Sequence, residues 1–348
     1  MVTFKSEQAQ HSILFILGNG FDLNLNMKTR YSDIYETYIK TPSKSDIIKK
    51  FKEDLSGKQP YEKWADFEMG MAKYAEELSC ENDLIECVRD FKTHMVSHLS
   101  KENNRFKKIM DSIQIGTILS ELENSLFYFY SGLTPNVVNQ ITNLFPQSGL
   151  NITNFSYLTF NYTNSLEELL KTKHIYNEVY PNLPLHIHGT LDRDVVLGID
   201  NLEQISTKYQ LSRKGKRAFI KTIFNEQYDS ARVEKAKQMI SKSSVICTYG
   251  FSMGKSDDTW VFEISKWLLA NKSHHLIVYQ HDVAYYSMWN SDERMDVEEE
   301  RKYSILQRLG ILDEDILEQI HIPIGHKIFD FDLNCQEQQP FNPIETYA

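Results

Sequence analysis

No run of this 348-residue chain approaches the length of an apolar membrane span, and Met1 to His11 lack the apolar core of a secretory signal. A soluble, cytoplasmic protein without a membrane partner is therefore expected. Cysteine is scarce. Cys80, Cys87, Cys247 and Cys335 lie far apart with no C-x-x-C spacing, which argues against a zinc ribbon or a disulfide framework and for reduced thiols. The 9 prolines and 14 glycines are few and fall into no repeat or low-complexity stretch, so neither a fibrous nor a disordered chain fits. An excess of positive charge is missing too. The 38 Lys and Arg against 48 Asp and Glu leave a formal net charge of −10, a balance that repels a phosphate backbone, and nucleic acid is not the expected partner. The run Arg213, Lys214, Lys216 and Arg217 is a local exception that reads most simply as a solvated helix start.

What is present is an ordinary globular composition, 41 % hydrophobic and 12 % aromatic, in a length that suits one enlarged domain with a sizeable core. Ile13 to Leu17 form a continuous apolar run, as in a strand buried on both faces, and the chain turns at once at Gly18-Asn19-Gly20. From Ser43 to Tyr130 the period becomes helical: Phe67, Met71, Tyr74 and Leu78 mark one stripe, Leu84, Val88, Phe91 and Met95 a second, Ile115, Leu119, Leu122, Leu126 and Phe129 a third. Short β-rich runs then return at Tyr157–Phe160, Leu185–His188, Val195–Ile199, Val245–Tyr249, Leu276–Tyr279 and Ile320–Ile324. Helical stretches separate several of them: Asn164–Lys171, a long one, whole or interrupted, over Lys214–Ser241, Asp257–Ala270 and Asp292–Leu309. The fold class expected is α/β, a Rossmann-like parallel sheet flanked by helices with a large helical insertion. Residues 1–42 and 131–330 make the core, 43–130 the insertion, and 331–348 a C-terminal tail without assigned structure.

Four segments carry residues suited to chemistry at strand ends. Gly18 and Gly20 stand where backbone could approach a pyrophosphate, although Leu23 occupies the place of the third glycine of a dinucleotide fingerprint, so a tight turn without a ligand is an equal reading. In Thr159-Phe160-Asn161-Tyr162-Thr163, Asn161 offers a donor and an acceptor to a sugar or water; its bland alternative, and more so that of Asn164, is a helix cap. In His186-Ile187-His188-Gly189, strand alternation puts both histidines on one face, and a neutral His188 could accept a proton. A structural histidine and an H-x-H metal pair compete with that role, the metal pair lacking any carboxylate or cysteine spacing to complete it. Tyr249-Gly250-Phe251-Ser252-Met253-Gly254 follows another strand. Gly250 and Ser252 suit an adenosine or ribose pocket, while Asp257 and Asp258 read as first-turn charges on the next helix.

In this order the motifs GNGFD, TFNYT, HIHG and YGFSMG, with Asp257 after them and the tryptophan-acidic segment Trp64-Ala65-Asp66-Phe67-Glu68 between the first two, resemble the AbiH family of bacterial phage abortive-infection proteins. The likeness runs from about Ile13 to Trp267. That family in turn looks distantly related to sirtuins and sirtuin-like NADases. The resemblance implies a sirtuin-like core and an anti-phage function through NAD cleavage. Asn161 matches the catalytic-pocket asparagine and His188 the catalytic histidine. The nucleotide-binding motifs cover Gly18, Asn19, Gly20, Phe21 and Asp22, then Thr159, Gly189, Gly250, Ser252 and Asp257. The sirtuin zinc cysteines have no counterpart, which argues against protein deacylation.

The expected reaction is hydrolysis of NAD, as substrate, to nicotinamide and ADP-ribose. Nicotinamide in NAD is already cationic, so it needs no proton to leave, and one histidine with one asparagine could suffice. No metal is expected. Two rivals stand beside this reading, a non-catalytic nucleotide-binding sensor of infection and a metal-dependent phosphoesterase or nuclease built on His186 and His188. A phage-derived trigger and self-association remain open as partners. Asp66 and Glu68, on a helix that also carries Phe67 and Met71, fit a solvated face beside a buried one, or else a lid that reaches the pocket.

Overall fold

Six short strands, each rich in apolar residues, form one sheet: β1 (Ile13–Leu17), β2 (Phe155–Thr159), β3 (Leu185–His186), β4 (Val245–Tyr249), β5 (His275–Tyr279) and β6 (Ile320–His321). The computed structural model describes residues 12–57, 66–112, 115–145, 155–171, 183–282, 285, 288, 290–325, 328, 329, 331 and 333. All pairings are parallel, in the order β3-β2-β1-β4-β5-β6. This is the doubly wound order, in which the sheet grows one way from β1 and then the other, leaving a crevice at the carboxyl ends of β1 and β4.

Alternation along β1 explains its unbroken apolar run. Ile13, Phe15 and Leu17 enter one core with Phe155, Tyr157, Val245 and Cys247, whereas Leu14 and Ile16 enter another with Leu158, Ile246 and Leu276. Among the described residues, seven helices lie between β1 and β2: α1 (Asn19–Asn24), α2 (Tyr31–Tyr38), α3 (Asp46–Leu55), α4 (Phe67–Tyr74), α5 (Glu81–Ser112), α6 (Ile115–Phe127) and α7 (Pro135–Thr142). Short polar side chains start two of them: Ser45 Oγ accepts from the Ile48 amide and Asp66 Oδ1 from the Met69 amide. Phe106, Met110, Ile118, Leu122, Leu126 and Phe129 cover one face of the sheet. The earlier helices build a third core around Phe51, Phe67 and Phe91, against residues 195–220. In the third stripe, the side chains of Ile115 and Leu119 lie outside the described residues.

Beyond β2 run α8 (Ser165–Leu170), then α9 (Arg213–Phe219), α10 (Lys221–Tyr228) and α11 (Ser230–Lys242), α12 (Asp258–Ala270) and α13 (Ser291–Arg308). The long basic stretch over 214–241 takes the interrupted form of the expectation, as three helices. The other core face is closed by Ala236 and Ile240 of α11, Trp260, Ile264 and Trp267 of α12, and Leu306 of α13.

One expected strand is corrected. Val195–Ile199 makes no strand, only an isolated parallel bridge between Ile199 and Ile220. Gly198 lies so close to the Phe219 carbonyl that a Cβ would sit 2.0 Å from its oxygen, and Val195, Leu197 and Ile199 pack into the helical core. Burial without a ladder produces the same apolar pattern as a strand. Strands β3 and β6 also end earlier than expected, Ile324 contributing only a bridge to Gln280. The expected tail 331–348 is described at Phe331 and Leu333 alone, and Cys335 falls outside the described residues. Cys87 and Cys247 are buried free thiols, Cys80 an exposed one. Among the described residues no helix is long and apolar enough to cross a membrane.

Candidate active site

A cavity of about 330 Å³ opens at the carboxyl ends of β1, β2 and β4, lined among others by Gly18, Asn19, Asp22, Asn161, His188, Gly250, Ser252 and Asp257. It sits at the switch point of the sheet, where ligands of open α/β folds gather. Its volume lies within the range of small-molecule sites.

The two glycine loops that form its floor interlock. The Gly18 amide donates to the Tyr249 carbonyl and the Gly20 amide to the Gly250 carbonyl, each at 3.1 Å. A Cβ on Gly18 would meet the Gly250 oxygen at 2.4 Å, and one on Gly250, whose φ is +64°, would meet the Gly20 Cα at 2.4 Å. These glycines therefore serve backbone-on-backbone contact first. A phosphate could meet the bare Gly18 surface but would find these two N–H groups already engaged. Asn19 is tied to Thr29, its Oδ1 accepting from the hydroxyl at 2.6 Å. Four other residues expected to bind nucleotide do not line the cavity. Gly20 faces Gly250, Phe21 packs on Tyr249 and Phe329, Thr159 Oγ1 accepts from the Asn161 amide, and Gly189 (φ +76°) is pressed against the Asp194 backbone.

Asn161 and His188 face the same cavity, 6 % and 5 % exposed. Asn161 Nδ2 is buried without a hydrogen bond, though it lies near enough to Asp22 to help stabilise a charge there. Neither Asn161 nor Asn164 caps α8 through its side chain. Asp22 accepts from Ser165 Oγ at 2.5 Å and Thr163 Oγ1 at 2.6 Å. Complete burial raises its carboxyl to about 6 against the lowering pull of those bonds.

His188 stands edge-on to Phe160, which stacks on Phe251 at 4.3 Å. Its Nε2 is 3.1 Å from Asp257 Oδ1 at an angle that makes no hydrogen bond, so the contact is electrostatic. Burial, and then the Lys221 charge, holds the imidazole below its ordinary pKa despite Asp257, which keeps it neutral at pH 7. His186 is set apart from it. Its Nδ1 lies 2.8 Å from the Asn161 carbonyl and its Nε2 2.5 Å from Glu167 Oε1, so both ring nitrogens are engaged. Burial opposes the charge, yet Glu167 prevails and its pKa is raised. With both nitrogens occupied, His186 is no half of an H-x-H chelate, and among the described residues no group of three or more His, Cys, Asp or Glu is arranged to hold a metal.

Behind Asp257, one of the lining residues, lies a cation that sequence reading missed. Lys221, at the start of α10 and 4 % exposed, donates to Asp257 Oδ1 and the Ser256 carbonyl, both at 3.0 Å, and lies 3.7 Å from Glu68 Oε1. Burial disfavours both partners' charges, but the pair prevails: Asp257 is held far below the usual carboxylate range and Lys221 is raised. Asp257 is therefore an ion-pair partner and not merely a first-turn charge; Asp258 pairs with Arg308 at 2.6 Å. Of the two readings for Glu68, the solvated face gives way to the lid: 5 % exposed, it lines the cavity and accepts from Tyr31 Oη at 2.8 Å. Burial raises its carboxyl to about 8, Lys221 opposing and Asp66 and Asp257 reinforcing the shift. Asp66 caps α4 and receives Ser256 Oγ at 3.3 Å; Trp64 lies outside the described residues. Nothing in the local pattern marks Lys221, which the sequence sets among other basic residues of an amphipathic stretch.

A parallel doubly wound α/β domain, with a helical first crossover folded over its switch-point cavity, is the class of molecule these features define. The family model for bacteriophage abortive infection AbiH matches residues 14–279, and the chain belongs to that family. Its membership places it among proteins of phage abortive infection. A search of curated proteins finds no match to the chain.

Proposed function

We propose that this chain hydrolyses the nicotinamide–ribose bond of NAD during phage infection, as its resemblance to sirtuin-like NAD-consuming proteins implies. The observation that carries the reading is that two buried polar atoms making no hydrogen bond, Asn161 Nδ2 beside Asp22 and His188 Nε2 beside Asp257, face one switch-point cavity. Buried polar atoms without partners are costly, and a ligand's hydroxyls are a physical reason to keep them. Asn161 orients the ribose or the attacking water. The neutral His188 takes a proton from that water or from a ribose hydroxyl as positive charge develops on the sugar. NAD and water give nicotinamide, ADP-ribose and one proton, which leaves through the imidazole.

The test follows NAD, nicotinamide and ADP-ribose in infected cells and with purified protein. Wild type depletes NAD, and His188→Ala and Asn161→Ala each slow depletion by about 10²–10⁴-fold. Intact NAD in infected wild-type cells, or His188→Ala indistinguishable from wild type, overturns the reading.

A further inference from the structure

Cleavage of NAD leaves one prominent group of the cavity without work. The nicotinamide departs as a neutral molecule, so the reaction has no need of a proton donor. Yet Glu68 is a carboxyl on the cavity wall shared with His188 and Asn161. We infer that the same cavity also cleaves neutral N-glycosyl bonds, those joining ribose to a purine base, with Glu68 as the proton donor to the departing base. This rests on the reading of the cavity as an N-glycosyl-cleaving site and extends it to a second class of leaving group.

The geometry supports a donor. Tyr31 Oη donates to Glu68 Oε2, leaving Oε1 as the oxygen on the Lys221 side, 3.7 Å from Nζ. Lys221 is drawn more closely to Asp257 and the Ser256 carbonyl, so its charge does not fully neutralise a Glu68 carboxylate. The ionisable groups that act on Glu68 pull in both directions: Lys221 favours the anion, Asp66 and Asp257 disfavour it, and Tyr31, Tyr35 and Tyr162 stay neutral at pH 7 because burial raises them further. With its carboxyl at about 8, Glu68 carries a proton at pH 7. A protonated acid and a neutral base in one cavity, their pKa values driven in opposite directions, form the pair that a neutral leaving group requires.

The step balances without a further reactant. The C1′–N bond breaks with its electrons passing to the purine, and the Glu68 proton goes to a purine ring nitrogen, so the base leaves neutral. The oxygen of water bonds to C1′ and its proton goes to His188. The imidazolium then loses that proton to solvent and Glu68 regains one, and the products are the free base and the ribose or its phosphate.

The experiment incubates the full chain, purified alone and from infected cells, with NAD or with AMP between pH 6 and 9, and reads nicotinamide and adenine by chromatography. Both are expected. Adenine release from AMP falls at least 100-fold in Glu68→Gln, and in wild type it declines above pH 8 while nicotinamide release does not. The wild-type pH profile stands even where the variant fails to fold. Nicotinamide without adenine overturns this inference and leaves NAD cleavage standing; adenine without nicotinamide overturns NAD cleavage alone. Release of neither, adenine release that persists in a folded Glu68→Gln, or a wild-type adenine profile that does not decline above pH 8, overturns the inference.

Discussion

Lys221 governs the charges around it. A buried ammonium bound to one carboxylate and close to another keeps Asp257 ionised, helps keep His188 neutral, and moderates Glu68. Removing one partner of such a pair leaves the other buried and uncompensated, which costs roughly 3–5 kcal/mol. Lys221→Met is expected to lower unfolding free energy by about that amount in urea titration. In the same variant the His188 imidazole rises in pKa, since a repelling charge is gone and Asp257 remains. An NMR titration that finds His188 unmoved would show that the ammonium does not act on it. Gly250 is sensitive for a different reason. Its φ of +64° and the 2.4 Å approach to the Gly20 Cα leave no room for a methyl, so Gly250→Ala combines backbone strain with displacement of the GNG loop. Strain and overpacking of roughly 1–3 kcal/mol each predict a loss of about 2–6 kcal/mol, measured the same way.

The strands were the legible elements, and the reason is physical. β1, β2, β4 and β5 are buried on both faces, so their runs are mostly apolar, and polar or glycine residues come at or just beyond the sheet edge. The GNG, TFNYT, HIHG and YGFS segments could therefore be assigned to strand ends before their convergence was known. Val195–Ile199 is misleading because burial against helices imitates burial in a sheet; Glu68 stays undecided between solvent and lid, and Lys221 is opaque, because their partners come from distant parts of the chain. A similar long-range pair joins the far side of the sheet. His275 Nδ1 on β5 lies 3.0 Å from His321 Nε2 on β6, the rings stacked, and burial, then His275 and Lys302, lowers the His321 pKa to about 3. A folded-state pKa below the unfolded value of about 6.5 gives stability that is full above pH 6.5 and is lost as pH falls toward 3. Within that window each pH unit costs about 1.4 kcal/mol for the one group. His321→Gln, which cannot titrate, is expected to show a melting temperature that falls less steeply between pH 6.5 and 4; parallel curves for variant and wild type would contradict the assignment.

At the scale of the whole molecule, α5 ties the helical crossover to the sheet. Its 32 residues extend about 48 Å at 1.5 Å each. The first half, from Leu84 to Leu99, belongs to the helical core, while Phe106 and Met110 lie against β1 and β2. Residues 43–130 therefore supply part of the sheet's own core. Phe106, Met110, Ile118, Leu122, Leu126 and Phe129 cover one face, and burial of six such side chains is worth roughly 1.5–3 kcal/mol each. Their sum is on the order of a domain's entire net stability of about 5–15 kcal/mol. The same segment brings Asp66 and Glu68 to the cavity, so cover and site chemistry stand or fall together. Replacing residues 43–130 by a short flexible linker is expected to give a chain that binds a hydrophobic dye, lacks near-ultraviolet circular dichroism and has no cooperative melt. A sharp melt with a native aromatic signal from that chain would mean that the sheet closes its own face, and the helices would then be a separable cap.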